Sequence, residues 1–398
     1  MRVMRGRRLT AGLFAIAVAF VAALIARPYV HGLSFVIRAA EMQGAARRAA
    51  DFDTVRVSER EVTIPTRRGP MRARLYEPAG SHRRAALLTS GLHASGIDEP
   101  RLVRLAQQLA ASHIAVVTPD IPELSRFEIA PAITDAIEDA GVWLADESTL
   151  APDRKAALMG ISFSGGLSII AAGRPSLANK LAYIFSLGGH DDLPRVLKYL
   201  CTGHEPSPIP DVQLGTARDS EMILPPHDYG VAVILLSLAD RVVPPAQVAR
   251  LREGVRQYLW ASALDGGVDK AAAPQAFEAV AKYARSLPEP SATLMRYVIA
   301  RDVVHLGARL LPLIGSTAPD GLSVSKSPKP TAPVFLLHGL EDNVIPAVES
   351  EYLAADLRGH APVRLLLSGL ISHAEADRPI HATDVLQLAG FWGDLLSR

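Results

Sequence analysis

A short stretch in the middle of the chain combines a serine with small residues on both sides, Gly160-Ile161-Ser162-Phe163-Ser164-Gly165-Gly166. An apolar run, 156–159, precedes it, and a run of small and apolar residues, 167–172, follows it. This pattern is typical of a buried strand, a tight turn and a helix packed close to the sheet. A serine at such a turn presents its hydroxyl on a strained backbone. Ser162 is therefore a candidate nucleophile.

The same stretch leaves two registers open. Gly160 stands two residues before Ser162, where the turn needs a small residue, but Ser164 stands two residues after it, where glycine is usual. In the other register Ser164 is the nucleophile, with Ser162 before it and Gly166 after it. We favour Ser162 because Gly160 comes directly after the strand. Taken alone, the stretch also fits an ordinary Gly/Ser turn before a buried helix.

Three further stretches carry the groups that an activated serine would need. They are Ser90-Gly91-Leu92-His93 after an apolar run, the segment 338–346 with Asp342 at its centre, and a loop containing His373. A serine hydroxyl attacks only when an adjacent base takes its proton, and a neutral imidazole can do so. A carboxylate on the other ring nitrogen fixes the tautomer and stabilises the imidazolium that forms.

With these stretches the chain resembles the α/β-hydrolase superfamily, from about residue 59 to the end, and most of all its esterase and dienelactone-hydrolase-type branches. The superfamily orders its catalytic residues as serine, acid, histidine. The resemblance therefore implies a triad of Ser162, Asp342 and His373. It also implies an oxyanion hole made by the backbone N–H groups of Phe163 and Leu92.

Two of these residues have rivals. The segment 239–244 repeats the spacing of 341–346, so that Asp240 is an alternative acid, or part of the hinge of an inserted lid. Asp342 is preferred because it follows a clean strand and a His-Gly turn. His381 is a weaker alternative to His373, because it lies close to the last predicted helix.

Composition excludes several other classes of function. Lys and Arg number 42 against 41 Asp and Glu, so charge supplies no reason for binding nucleic acid. The single Cys201 excludes an internal disulfide framework. The pairs and triplets that begin at His190, His204 and His227 lack ligand spacing on one element, so we expect no metal. We also find no glycine-rich phosphate loop in the required context, and we expect no cofactor.

The first 30 residues differ from the rest. Four arginines within residues 2–8 precede an uncharged run, Leu9–Ala26, which ends at Arg27-Pro28. Eighteen residues are near the lower limit for crossing a bilayer. We predict an uncleaved membrane anchor in residues 1–30, with a cleaved signal peptide as the alternative. The arginines place the amino terminus in the cytoplasm and the remaining chain outside it.

The body of the chain predicts an α/β fold. Apolar strands alternate with amphipathic helices over 59–190 and again over 331–398, which favours a mostly parallel sheet with helices on both faces. An antiparallel hairpin over 59–77 begins this core. Residues 191–330 interrupt the rhythm with Pro-rich loops and helix-like stretches, and they predict a helical lid over the sheet. Residues 31–58 are interpreted as a stalk.

Together these observations predict a membrane-anchored serine hydrolase that acts outside the cytoplasmic membrane on a small-molecule or lipid-like ester or related acyl substrate. A carboxylesterase is the leading interpretation. A lipase, a thioesterase or a C–C hydrolase would use the same triad. A non-catalytic binding or scaffold protein on the same fold is the alternative from another class, because a fold does not determine a function.

Overall fold

The computed structural model describes residues 26–82, 84–206, 225–314, 321–371 and 382–398. Contacts within the chain group it into two units. The larger unit comprises residues 56–376, and the smaller unit comprises residues 1–55 together with residues 377–398. The domain boundaries inferred from the sequence stay a prediction.

The described residues of the larger unit form one sheet of eight strands in the order β1-β2-β4-β3-β5-β6-β7-β8. The strands are β1 (Val57–Thr66), β2 (Gly69–Pro78), β3 (Arg84–Thr89), β4 (Ile114–Pro119), β5 (Ala156–Ile161), β6 (Leu181–Leu187), β7 (Val334–Gly339) and β8 (Val363–Ser368). The pairs β1–β2 and β2–β4 are antiparallel, and all other pairs are parallel. The prediction of a mostly parallel sheet is confirmed.

The central strands are buried on both faces. Every residue of β4 and of β7 is buried, and the first five residues of β5 are buried as well. Because successive side chains of a strand point to opposite faces, the sheet must be covered on both sides. Helices supply the cover: α3 (Pro100–Ala111), α4 (Pro122–Ser125), α5 (Ala132–Asp146), α6 (Phe163–Ala172) and α13 (Val348–Leu357).

An inserted set of helices connects β6 to β7. It comprises α7 (Leu193–Thr202), α8 (Asp228–Val242), α9 (Pro245–Ala263), α10 (Ala273–Arg285), α11 (Ser291–Ile299) and α12 (Val303–Ile314). Leu235, Leu251, Val255 and Met295 are buried among these helices. These residues belong to the same hydrophobic cluster as the core residues of the sheet, and the described part of 191–330 is largely helical.

A buried ionic network holds the start of this insertion. The Arg195 guanidinium donates to Glu349 on α13 at 2.5 Å and to Asp191 at 3.1 Å, and it lies 3.8 Å over the ring of Tyr352. Glu349 is fully buried and also accepts the backbone N–H of Asp191 at 2.9 Å. Burial, with the nearby carboxylates of Asp356 and Glu349, raises the pKa of Asp191 to about 7 despite Arg195. Removing Arg195 would leave buried carboxylates without a counter-charge, which is strongly destabilising.

The smaller unit contains α1 (residues 26–39), α2 (Ala45–Ala50) and α14 (Ala382–Leu396). The rings of Phe35 and Trp392 lie 4.3 Å apart. Any Cβ on Gly32 would lie 1.9 Å from the carbonyl oxygen of Ala389, so α1 and α14 can approach this closely only because glycine stands there. No helix among the described residues is both long enough and apolar enough to span a membrane. Residues 1–25, which contain nearly all of the predicted anchor, lie outside the described residues.

Candidate active site

Ser162 lies at the tip of the turn between β5 and α6. Its backbone has φ 55° and ψ −127°, a conformation that residues other than glycine rarely adopt. Its N–H donates to the carbonyl of Leu187 at 2.6 Å, and its carbonyl accepts from Gly165 at 2.8 Å. A Cβ at Gly160 would lie 2.2 Å from the carbonyl oxygen of Ser164, so only glycine permits this turn. The strand, tight turn and helix predicted for this stretch are therefore present.

Ser164, the alternative nucleophile, is fully buried. Its hydroxyl donates to the backbone carbonyl of Ser90, in the loop that follows β3. That hydrogen bond ties the turn after β5 to the loop where the second oxyanion donor was predicted. The position therefore needs a small residue with a hydroxyl group, which explains why serine stands where glycine is usual.

The loop after β3 passes directly over the turn. A Cβ at Gly91 would lie 3.3 Å from the Cβ of Ser162. The carbonyls on either side of Gly91 are both engaged, that of Ser90 by Ser164 and that of Leu92 by the Tyr229 hydroxyl at 2.5 Å. Phe163 is buried, and its ring stacks on His190 at 5.2 Å. The segments that contain the two predicted oxyanion residues are thus held in place by hydrogen bonds and by ring stacking.

Asp342 follows β7 and is buried. Its Oδ1 accepts the backbone N–H groups of Val344 at 2.9 Å and Ile345 at 3.0 Å. Its Oδ2 lies 3.5 Å from His338 Nε2. Because His338 Nε2 also donates to the Ile345 carbonyl at 2.8 Å, this histidine carries its proton on Nε2 and braces the loop that holds Asp342.

Only the end of β6 separates Ser162 from Asp342. Leu187 accepts the N–H of Ser162, and a Cβ on the next residue, Gly188, would lie 3.3 Å from Asp342 Oδ2. Gly188 has φ 64°, which glycine adopts at no steric cost. The parallel strands β5 and β7, with β6 between them, therefore bring the candidate nucleophile and the candidate acid to the same edge of the sheet.

The rival acid Asp240 lies elsewhere. It is near the end of α8, its side chain is 57% exposed, and it pairs with Arg252 at 3.0 Å. It does not belong to the described residues that line the cavity beside Ser162. His373 and His381, the candidate bases, lie outside the described residues.

A cavity of about 430 Å³ opens at this edge of the sheet. Ser162, Asp342 and Leu92 line it, as does Ile371, which precedes His373 by two residues in the chain. The apolar part of its wall is formed by Leu92, Leu102, Leu105, Phe127, Ile161, Leu187, Leu259, Ala263, Val344 and Ile371. The polar part is formed by Ser90, His93, Glu99, Arg101, His227, Tyr229 and Ser262, beside Ser162 and Asp342.

A serine on a strained turn from strand to helix, at one edge of a mostly parallel sheet with helices on both faces, is the arrangement of one known fold. The chain has the α/β-hydrolase fold. No model of a known protein family matches the sequence, and no curated protein matches it either.

Solved structures are similar to this chain at low sequence identity. An esterase from Pyrobaculum calidifontis is 15% identical, with a TM-score of 0.41, over 94% of this chain and 93% of the esterase. A lipase in an open form is 17% identical, with a TM-score of 0.41, over 85% of this chain and 99% of the lipase. A dienelactone hydrolase from Anabaena variabilis is 15% identical, with a TM-score of 0.39, over 84% of this chain and 96% of that protein.

The motif that begins at His190, where the sequence predicts no metal, has other partners in this fold. His190 is fully buried, and its Nε2 lies 2.8 Å from the carbonyl of Leu322. Asp191 belongs to the network around Arg195. Among the described residues, no group of three His, Cys, Asp or Glu side chains could hold a metal ion.

Tyr229 is a site residue that the sequence analysis missed. It lies in the first turn of α8, and the backbone N–H of the nearby His227 donates to the carbonyl of Asn343 at 2.9 Å. The start of α8 therefore contacts both the loop above Ser162 and the loop that holds Asp342. In the sequence, residues 227–229 stand out only for the pair His227-Asp228. No local pattern marks a tyrosine whose hydroxyl bonds to a carbonyl 137 positions away.

Replacing Tyr229 with phenylalanine is expected to lower kcat about tenfold and to leave KM nearly unchanged. The variant keeps the ring but frees the Leu92 carbonyl, so the loop over Ser162 loses one of the hydrogen bonds that hold it. Oxyanion-hole geometry acts mainly in the transition state, so the loss should appear in kcat. Steady-state kinetics on a chromogenic ester measure this. The control is Tyr283→Phe, whose hydroxyl on α10 donates to the Arg250 carbonyl on α9 at 3.1 Å. Equal effects of both variants on kcat would contradict the positioning role.

Proposed function

We propose that this protein is a serine hydrolase that cleaves an ester, or a related acyl substrate, through an acyl-enzyme on Ser162. One observation carries the proposal: Ser162, on its strained turn, and the buried Asp342 line the same cavity at one edge of the sheet. Enzymes hold strained backbone where a reactive group must be presented, and a nucleophile and its acid must converge on one site.

In the proposed reaction the Ser162 hydroxyl attacks the substrate carbonyl while His373 takes its proton. Asp342 orients the imidazole and stabilises the imidazolium. Backbone N–H groups of Phe163 and Leu92 stabilise the oxyanion of the tetrahedral intermediate. His373 then gives the proton to the leaving alcohol, and the acyl group remains on Ser162. Water, activated by the same histidine, attacks the acyl-enzyme, which releases the acid and restores the hydroxyl.

We further propose that residues 1–30 anchor the chain in the cytoplasmic membrane, with the rest of the chain outside the cytoplasm. The charge distribution supports this orientation, since Arg2, Arg5, Arg7 and Arg8 precede the uncharged run 9–26. Secretion after cleavage of the segment is the alternative. Mass spectrometry of the amino terminus of the protein purified from membranes and from medium distinguishes the two.

A fluorophosphonate probe tests the catalytic proposal whatever the physiological substrate is. We expect stoichiometric labelling of the full chain on Ser162, located by peptide mapping, and turnover of p-nitrophenyl esters of graded chain length. Labelling reports nucleophilicity, because phosphonylation requires an activated serine. A chain that is neither labelled nor active on any ester of the series would be a binding or scaffold protein, and the proposal would be wrong.

A further inference from the structure

Two histidines of the cavity wall have their tautomers set by the backbone. The N–H of Ser95 donates to His93 Nδ1 at 3.2 Å, and the N–H of Tyr229 donates to His227 Nδ1 at 3.2 Å. A backbone N–H can only donate, so each Nδ1 accepts and each neutral ring carries its proton on Nε2. Burial lowers the pKa of His93 below its ordinary value, which favours this neutral form. Both rings therefore offer an Nε2–H donor.

No described residue bonds to either Nε2. The carboxylate beside His227, that of Asp228, lies 3.2 Å from its Nδ1, on the side of the ring already engaged with the backbone. Both histidines line the cavity beside Ser162, and both flank the hydrogen bond between Tyr229 and Leu92. The two donors thus belong to the wall that a substrate would contact.

A guanidinium completes this wall. Arg101 lines the same cavity with a side chain that is 59% exposed, and its Nε donates to Glu99 Oε1 at 2.7 Å. The other Glu99 oxygen caps α3 by accepting the N–H of Leu102 at 2.6 Å. Both oxygens of the carboxylate are therefore engaged within the protein, while the two terminal nitrogens of Arg101 have no partner among the described residues.

We infer that this polar wall, made by His93, His227 and Arg101, binds a carboxylate on the substrate. The inference rests on the proposed function and names its substrate class: esters that carry a second, free carboxylate, such as monoesters of dicarboxylic acids. The wall offers several hydrogen-bond donors and one cation, Arg101. Both oxygens of the neighbouring Glu99 carboxylate already accept hydrogen bonds within the protein. A group that accepts several hydrogen bonds and carries a negative charge is the complement of that arrangement.

Matched esters test this on the full chain. Mono-p-nitrophenyl esters of dicarboxylic acids of four to eight carbons are compared with p-nitrophenyl esters of the monocarboxylic acids of equal length. The corresponding methyl p-nitrophenyl diesters are a second comparison, because their methyl ester group accepts hydrogen bonds but carries no charge. After subtraction of the uncatalysed rate, we expect kcat/KM for the ester with a free carboxylate to be about tenfold higher than for either matched ester, at the chain length that is hydrolysed best. Equal values at every length, or a methyl diester as good as the carboxylate, would overturn the inference.

Variants of the three wall residues test whether the wall causes the preference for esters with a free carboxylate. Arg101→Met is expected to bring the ratio of kcat/KM values close to one. His93→Asn and His227→Asn are each expected to lower it about threefold, because asparagine can still accept the N–H two residues on but lacks the Nε2 donor. Arg250→Met, on a lid arginine that donates to the Ser286 carbonyl, is the control and should keep the wild-type ratio. A ratio that survives Arg101→Met would place the preference elsewhere and overturn the assignment.

Calorimetry separates this inference from the proposed function. If no ester is hydrolysed, the proposed function fails, and titration with adipate and with hexanoate tests the wall alone. If adipate binds to the wild type and this binding is lost in Arg101→Met, the cavity has the inferred carboxylate site but no catalytic activity. Equal binding of both acids, or binding of neither, would overturn it.

Discussion

The Ser162→Ala variant is expected to lose ester hydrolysis by at least about 10⁴-fold in kcat and to lose fluorophosphonate labelling entirely. The variant removes the hydroxyl that forms the acyl-enzyme, and the remaining binding groups accelerate attack by water only weakly. The fold should persist, because the backbone hydrogen bonds of residue 162 to Leu187 and Gly165 do not use the side chain. Single-turnover kinetics and intact-mass spectrometry after labelling measure both effects.

Ser168→Ala is the matched control for this variant. Ser168 lies on α6, the helix that follows Ser162, and it is fully buried. Its hydroxyl has no partner among the described residues, so its removal should leave kcat and labelling unchanged. Ser164→Ala tests the alternative register. Because the Ser164 hydroxyl donates to the Ser90 carbonyl, this variant should keep the label while reducing the rate. A label that is lost in Ser164→Ala but kept in Ser162→Ala would reverse the assignment of the nucleophile.

The Asp342→Asn variant is expected to lower kcat about 10³- to 10⁴-fold with little change in KM. Asparagine keeps an oxygen for the N–H groups of Val344 and Ile345, so the loop should retain its shape. It cannot hold the imidazole in the tautomer that accepts the serine proton, and it cannot stabilise the imidazolium. Steady-state kinetics on the best ester of the series measure the loss, and circular dichroism checks the fold.

Asp240→Asn separates the two candidate acids. Asp240 is largely exposed and pairs with Arg252 on the lid, so its replacement should change kcat less than about twofold. If Asp240→Asn were as damaging as we expect Asp342→Asn to be, the acid would come from the lid, and the order of residues implied by the superfamily resemblance would not apply to this chain.

The start of α8 connects the inserted helices to the proposed chemistry. Its backbone and Tyr229 contact the loops on either side of Ser162, and His227 lines the cavity. A substrate that contacts His227 would therefore touch the same end of α8 that holds the Leu92 carbonyl through Tyr229. The effects of Tyr229→Phe on kcat and of His227→Asn on substrate preference can be measured independently, since the first acts through a hydroxyl and the second through a ring nitrogen.

The sequence by itself determined the features that depend on local sterics and on burial. Apolar runs such as 334–339 predict buried parallel strands because both faces of each strand must be covered. Gly160 before Ser162 predicts the tight turn because a Cβ has no room there. The chain order of Ser162 and Asp342, each after a strand, predicts one shared edge of the sheet.

Only the tertiary structure distinguishes the surroundings of residues that share the same local signals. Ser162 and Ser164 share their neighbours, but one lines the cavity and the other is buried against a loop 74 positions away. Asp240 and Asp342 share their spacing, but Asp240 is exposed on α8 and Asp342 is buried beside the end of β6. The role of Tyr229 likewise depends on the carbonyl of Leu92. Contacts between distant segments are set by how helices and strands pack, and no pattern within a short window encodes them.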